Sequence, residues 1–404
     1  MTRCLILAPF PLQQPRHGGQ VRAASLGRAL TASGWQVVTA GIYHQDFFPA
    51  DQRGPEDLLL DSPALREAAT EDVLFGDLIV ARHAAQDQAV VERLRHLLHW
   101  LRPAVVQLEH PWPWLVLRQA LEGLEGPRPK LVYSSHNIEW RMRPALYRLG
   151  LRRPGADAMI AATRALEAEV ARRADLVLSI SDLEAAEIAA ESGREVLYLP
   201  PSSDLAEAPP PLGGRYADAA RSQRVRYAAL LSSAYWPNVE GFFQTFPEGL
   251  GFLRYGEQIW VGGQLGPALH QDKRHQDFNT LNDTRMQVLG HIADADKAAF
   301  LAGSECVIVP VHEGAGSKLK TADALASGRP VITTAHGIEG YGPLLEGALG
   351  QGVYVADTPA EFRALIRRAL RDGLPGCDAR LRESLRVQAL VERMRPAYAA
   401  LIGQ

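Results

Sequence analysis

The sequence predicts an α/β protein built of two doubly wound domains, and three observations carry that prediction. Short, nearly continuous apolar runs alternate with helix-like segments along most of the chain, as buried parallel strands and their crossover helices do. The alternation is broken by a proline- and glycine-rich stretch at 200–224 and then restarts. The length, 404 residues, is too great for one ordinary core and suits two domains.

In order, 3–8 is a short apolar run stopped by Pro9 and Pro11, and a loop carrying Gly18 and Gly19 follows. Residues 21–33 read as a helix closed by Gly34, and 35–40 as the next strand, which completes a βαβ unit. The region 45–85 is less periodic and is assigned only loosely. Strands at 104–108, 130–135 and 174–179 then follow helices at 88–101, 114–124 and 156–173. Ser181 and Glu184 have capping-box spacing and open a further helix, and 195–199 is the last strand before Pro200 and Pro201. After the break, strands are expected at 227–232, 258–262, 286–289, 306–311, 330–334 and 353–356. The final helices are 359–372 and 377–402, the latter in one or two pieces. The expected division is an amino-terminal domain at 1–205, a linker at 206–224, a carboxy-terminal domain at 225–385 and a terminal helix at 386–404 that packs back on the first domain. Ligands in such sheets bind beyond the carboxyl ends of the strands, so a cleft between the domains is expected.

Composition narrows the classes. A chain 47% hydrophobic and 22% charged is globular rather than disordered. With 43 basic against 46 acidic residues, bulk charge gives no reason to expect nucleic acid as a partner. Cys4, Cys306 and Cys377 form no disulfide framework and have no metal-ligand spacing, which points to a reducing, cytoplasmic setting. No apolar run approaches the roughly 20 residues needed to cross a bilayer.

The chemistry concentrates in 309–332, which reads as strand, glycine-rich turn, helix, then a Gly328-Arg329-Pro330 turn into the next strand. Gly314 and Gly316 let the backbone approach a ligand with its N–H groups. The following helix adds its N-terminal partial positive charge, and Lys318 and Lys320 add two full charges. Asp323, about one turn further on, is placed to reach a sugar hydroxyl. The set suits a diphosphate attached to a ribose; the plain alternative is a strand-turn-helix with solvated lysines.

This segment resembles the carboxy-terminal signature of GT-B glycosyltransferases of the family 4 type, the retaining, nucleotide-sugar-dependent "group 1" transferases. Gly314-Ala-Gly-Ser-Lys-Leu-Lys320, Asp323-Ala-Leu-Ala326 and Gly328-Arg-Pro-Val331 stand in register with it. Ser134 to Glu139, Ala174-Asp175 with Ser181, Trp236 to Glu240, Leu289-Gly290 with Ile292, and His336 to Gly340 are similar to further family landmarks in order and spacing. The resemblance implies two Rossmann-like domains facing a cleft. It also implies transfer of a sugar from a nucleotide-diphosphate sugar, with no cofactor or metal required. Lys318 and Lys320, with N–H groups around Gly314, Ala315, Gly316 and Ser317, would hold the diphosphate. Asp323 would take the ribose, His312 and Glu313 the donor-sugar hydroxyls, and Gly290 and Ile292 the base through their main chain. Gly18 and Gly19 would let the first domain close on sugar and acceptor, with His136 facing the transferred sugar. His136, Glu313 and Lys320 are thus the expected catalytic set.

Two positions depart from the family pattern. Asp323 stands where the family has glutamate, and 231–238 lacks the cation that many relatives carry next to the diphosphate. A non-catalytic nucleotide-sugar-binding protein and a nucleotide-sugar epimerase on the same fold are the alternatives. Trp112 and Trp114 could stack on a sugar or a lipid, with packing the plainer role. Arg141, Arg143, Arg148, Arg152 and Arg153, interleaved with apolar residues between Trp140 and Arg153, give a basic amphipathic stretch. Such a stretch suits peripheral contact with an anionic membrane face; an exposed arginine-rich helix is the plainer reading.

Overall fold

The nearly continuous apolar runs become the central strands of two parallel sheets. The computed structural model describes residues 2–72, 74–147, 154–211, 213–313 and 318–403. They form two units: Met1–Pro200 with Val387–Gln404, and Pro201–Arg386.

The first unit runs β1 (Arg3–Ala8), α1 (Gly18–Ala32), β2 (Gln36–His44), β3 (Leu58–Leu60), α2 (Pro63–Glu71), α3 (Gly76–Gln86), α4 (Gln88–Leu101) and β4 (Val105–Glu109). It continues α5 (Trp114–Glu122), β5 (Lys130–Ser135), α6 (Glu139–Tyr147), α7 (Ala156–Arg173), β6 (Leu176–Ser179), α8 (Asp182–Ser192) and β7 (Val196–Tyr198). The strands lie in the order β3-β2-β1-β4-β5-β6-β7, each pair parallel. Alternate side chains of β1 feed two cores: Leu5 and Leu7 pack with Leu78, Leu94 and Val116, and Cys4 and Ile6 with Leu26 and Leu30.

Two expectations change here. Gly18 and Gly19 are not loop residues but the first turn of α1. The Gln20 side chain accepts from the backbone N–H groups of Arg16 (2.8 Å) and His17 (3.3 Å), which fixes the helix start three residues early. Glycine at 19 answers to packing, since a Cβ would lie 3.1 Å from the Phe10 ring. The loosely assigned 45–85 holds β3, α2 and α3. Asp57 organises its entry by accepting from Gly41 N (2.6 Å), Tyr43 Oη (2.6 Å) and Gly54 N (2.7 Å).

The second unit runs α9 (Arg215–Gln223), β8 (Arg226–Leu231), α10 (Trp236–Thr245), β9 (Glu257–Gly262), α11 (Leu265–Gln271), α12 (Lys273–Gln276), α13 (Asn279–Arg285) and β10 (Met286–Gly290). It continues α14 (Asp294–Ala302), β11 (Cys306–Val309), α15 (Leu319–Ala326), β12 (Val331–Thr333), β13 (Val353–Val355), α16 (Pro359–Arg371) and α17 (Ala379–Glu383). Its strands lie in the order β10-β9-β8-β11-β12-β13, again parallel. Ala229, Val307 and Val331 face Phe300 and Leu325; Ala228, Ile308 and Ile332 face Phe242, Phe362 and Ile366. The stretch read as a linker is partly folded: α9 buries Tyr216 and Ala220, and the Tyr216 ring lies 5.3 Å from that of Phe300.

After α17 the chain returns to the first unit as α18 (Val387–Leu401), whose Leu390, Val391, Met394 and Tyr398 complete the core around Cys4 and Leu30. Tyr398 Oη donates to Gln107 on β4. In both sheets the strand order reverses once, between β1 and β4 and between β8 and β11. Such a switch point opens a crevice at the strands' carboxyl ends, where ligands of open α/β sheets bind.

Candidate functional site

At the β8/β11 switch point the structure brings together residues from four segments. Lys320, in the first turn of α15, donates through Nζ to Asn238 Oδ1 and lies 3.4 Å from Ser232 Oγ, just past β8. Asn238 is held in turn: its Nδ2 donates to Ser233 O (3.0 Å) and Oγ (3.2 Å). The tryptophan-proline-asparagine segment therefore opens α10, with proline where its missing N–H costs nothing, and presents Asn238 to the lysine. Gly241 lets α10 come this close, because a Cβ there would meet Pro310 O at 2.2 Å. Burial, and then the Lys318 charge, pull the Lys320 ammonium down to about 8.

Lys318 is the N-cap of α15; its Nζ lies 3.6 Å from Glu339 Oε2, and its carbonyl accepts from Tyr341 Oη (2.7 Å). Glu339 also pairs with His336 Nδ1 at 2.7 Å. The His336 to Gly340 segment is tied in by Thr321 Oγ1, which donates to Gly337 O (2.7 Å). Two lysines at the start of one helix, held by neutral partners on one side and one carboxylate on the other, form a cationic site at the crevice.

Asp323 is further along α15, and its Oδ1 accepts from Ser203 Oγ at 2.6 Å. Burial raises its carboxyl, with Ser203 acting against that. One of its oxygens is therefore already engaged, a partner the sequence did not suggest. His312 Nε2 lies 2.9 Å from Thr245 Oγ1, whose single proton goes to Gly241 O (2.7 Å), so Nε2 is the donor and Nδ1 is left as an acceptor. Glu313 is partly buried beside it. Gly290 ends β10 with φ +67°, and its carbonyl accepts from Gly263 N (2.6 Å). The Ile292 side chain is in the core against Gly262, which leaves only its main chain for a ligand. Gly314, Ala315, Gly316 and Ser317 lie outside the described residues.

At the β1/β4 switch point of the first unit, two histidine–carboxylate pairs stand side by side. His136, just past β5, places Nε2 2.5 Å from Glu109 Oε2, and His110 places Nδ1 3.0 Å from Glu139 Oε1; the two rings are 4.1 Å apart. Gln107 donates to the other oxygen of Glu109. Burial, then the charge of His110, pull His136 down to about 4, so it is neutral near pH 7 and donates its Nε2 proton to Glu109. Burial lowers His110 too, but its bond to Glu139 outweighs that and the net shift is upward. Burial works against the Glu139 carboxylate, yet His110, Arg143 and Asn137 together hold it at about 2. Glu139 and Trp140 donate their N–H groups to Glu167 (2.8 and 3.0 Å), and burial, then Glu139, push that carboxyl up to about 8. Glu109, the last residue of β4, is fully buried and anchors His136, which the sequence did not reveal. Beside this group, a small pocket is walled by Tyr43, Phe47, Phe48 and Trp112, with Asp77 as its carboxylate.

The basic stretch divides. Arg143 is turned inward: Nη2 meets Glu139 Oε2 at 2.9 Å, Nη1 donates to Leu74 O, and the guanidinium lies over Phe75 and Trp112. Arg141 pairs with Glu187 at 2.6 Å. Arg148, Arg152 and Arg153 lie outside the described residues. The reading of five outward arginines is thus corrected at Arg143, where a buried carboxylate claims the charge. Trp112 and Trp114 are both buried, and Trp114 Nε1 donates to Glu169 (2.9 Å). Among the described residues no helix is long and apolar enough to cross a membrane.

No curated protein matches the chain by sequence. Among solved structures, a sucrose-phosphate synthase from Thermosynechococcus elongatus is similar with a TM-score of 0.70 at 15% identity, over 100% of both chains. HepE from Anabaena, in complex with UDP and glucose, gives 0.63 at 13% identity over 100% of both chains. The catalytic domain of starch synthase IV from Arabidopsis thaliana, bound to ADP and acarbose, gives 0.63 at 12% identity, covering 100% of this chain and 99% of that one. At such identities the likeness is one of fold. Two family models match the sequence itself: "Glycosyl transferase 4-like domain" over residues 17–201 and "Glycosyl transferases group 1" over residues 233–372. With one match in each doubly wound unit, the chain belongs to the group 1 family of GT-B glycosyltransferases.

Proposed function

We propose that this glycosyltransferase moves a hexosyl group from a nucleoside diphosphate sugar to a hydroxyl of a glycan or lipid-linked acceptor, with retention at the anomeric carbon. The observation that carries the reading is the pair Lys318 and Lys320 at the start of α15, with Lys320 tethered to Asn238 and Ser232 at the β8/β11 switch point. A buried ammonium with neutral partners is a poor resting state and a good counter-ion for a diphosphate. HepE and starch synthase IV, similar in fold, are bound to UDP and ADP respectively.

In this reading Lys318 and Lys320 neutralise the departing diphosphate, with N–H groups around Gly316 and Ser317. They also take over the role of the cation missing from 231–238. Asp323 meets the ribose through the oxygen that Ser203 leaves, and the main chain at Gly290 and Ile292 borders the base. His312 Nδ1 and the Glu313 carboxylate accept from the donor-sugar hydroxyls. The acceptor hydroxyl attacks C1 from the face that the phosphate leaves. The new C1–O bond forms as the C1–O(phosphate) bond breaks, and the acceptor proton passes to a leaving phosphate oxygen. That front-side course needs neither a protein nucleophile nor a close pair of carboxylates, and a metal is not required by it. On the first unit, neutral His136 keeps Nδ1 as an acceptor for a substrate hydroxyl while Glu109 fixes the ring. The aromatic pocket with Asp77 suits a sugar ring of the acceptor.

The test is a screen of nucleotide sugars for thermal stabilisation, followed by reaction of the best donor with candidate acceptors and NMR of the product. The reading predicts acceptor-dependent release of nucleoside diphosphate and a product with the donor's anomeric configuration. An inverted product contradicts retention, and turnover with donor alone would point instead to an epimerase.

A further inference from the structure

Three short helices of the second unit, α11, α12 and α13, converge on a group that the reaction above does not use. His270 is in the last turn of α11, His275 is in α12, and Asp283 is in α13. His275 Nε2 lies 3.1 Å and His270 Nε2 4.0 Å from the same atom, Asp283 Oδ1, and one ligand atom from each of the three lies within 4.8 Å of the others. The two imidazole centroids are 4.7 Å apart, with the rings tilted by 47°. With metal–nitrogen and metal–oxygen bonds of about 2.0–2.2 Å, ligands of a tetrahedral Zn²⁺ site stand about 3.3 Å apart. The His275–Asp283 edge already has that length. His270 must approach by a small rotation, and its side chain, 45% exposed, is free to make it.

His275 supplies the second argument. Its side chain is only 3% exposed, and Nδ1 is buried with no hydrogen-bond partner among the described residues. Nε2, the nitrogen that faces Asp283, is the ring atom offered to the cluster, and its only partner there among the described residues is a carboxylate that is 61% exposed; Nδ1 points away and is not a ligand. His275 is firmly placed. Its N–H donates to Asp272 O (3.0 Å), and its carbonyl accepts from Asn282 Nδ2 (3.1 Å), whose Oδ1 accepts from Leu250 N (3.0 Å). The neighbouring cation Arg274 is turned away, engaged by Asp272 and Glu240. Two imidazoles and one carboxylate, one ligand preset and two near the surface, form a borderline nitrogen–oxygen donor set.

We propose that His270, His275 and Asp283 bind a divalent transition metal, Zn²⁺ by the chemistry of the set, with solvent in the remaining position. The ion staples α11, α12 and α13 over the β9–β10 edge of the second sheet.

The experiment uses the full chain, stripped with chelator and titrated calorimetrically with ZnCl₂ and, separately, MgCl₂. The inference predicts one Zn²⁺ bound per chain with micromolar or tighter affinity, a raised melting temperature, and no response to Mg²⁺, which prefers oxygen ligands. His270→Ala and Asp283→Asn, both at exposed positions, should each weaken Zn²⁺ binding at least about tenfold and leave the metal-free melting temperature unchanged. Absence of binding up to millimolar ZnCl₂ overturns the site, and so does Zn²⁺ binding of equal affinity in both variants. Neither result bears on donor binding, which is measured separately.

Discussion

His136 shows what burial does to one titratable side chain. Its ordinary value near 6.5 is lowered to about 4 by burial and by His110, so between these pH values the unfolded chain holds a proton that the folded chain does not. The native state therefore loses stability as pH falls from about 6.5 to about 4, by on the order of 1–3 kcal/mol. His110 works in the other direction: its raised pKa gives stability that is full below 6.5 and is lost as pH rises through its folded value. His136→Asn removes the first effect and leaves the second. Melting temperatures across this range should fall less steeply with acid in the variant than in the wild type. An equally steep fall would mean that another group drives it. The sequence made His136 a candidate through its place after a strand and its family resemblance. It could not supply Glu109, because a carboxylate inside a continuous strand looks the same whether it faces solvent or a histidine 27 residues away.

At the scale of elements, the strands were legible and the approach distances were not. Runs such as 3–8 and 130–135 are buried on both faces and announce themselves by continuous hydrophobicity. The three-residue β3 is too short to show a period, and Gly18 and Gly19 read as a loop because what holds Gly19 in α1, the Phe10 ring, lies outside the helix. The second half of the proline-rich break folds as α9 because Tyr216 and Ala220 find a core. Gly241 is the sharpest case. It is a mid-helix glycine with ordinary helical geometry, so its lost helix propensity is unrewarded locally. Its role is to let α10 touch the end of β11, where a Cβ would overlap Pro310 O. Gly241→Ala should lower stability by about 1–3 kcal/mol through overpacking, rather than raise it as a helix-propensity argument predicts. Urea denaturation decides the sign. Since Asn238 moves with α10, the variant should weaken nucleotide binding as well.

For the whole molecule, a net charge of −3 conceals local organisation that only the fold exposes. Lys318 and Lys320 are two residues apart in sequence, but Asn238, Ser232 and Glu339 reach them from separate segments. Family motifs made those segments legible as a set. The cluster of His270, His275 and Asp283 matched no motif, because three short helices rather than one periodic element bring it together. The chain crosses between the units at Pro200–Pro201 and again at Arg386–Val387, and Ser203 N donates to Leu385 O (2.8 Å) where the two crossing segments meet in the second unit. The central claim is that the β8/β11 switch point holds a nucleoside diphosphate through Lys320. Calorimetric titration of wild type and Lys320→Ala with UDP, at pH 7 and pH 9, tests it most directly. Lys320 is protonated below about 8 and loses its charge above it, so the wild type should bind more weakly at pH 9. Lys320→Ala should bind at least about tenfold more weakly at pH 7, as loss of a charged hydrogen bond implies, and should lack most of that pH dependence. Equal affinity of the two proteins at pH 7 would contradict the assignment.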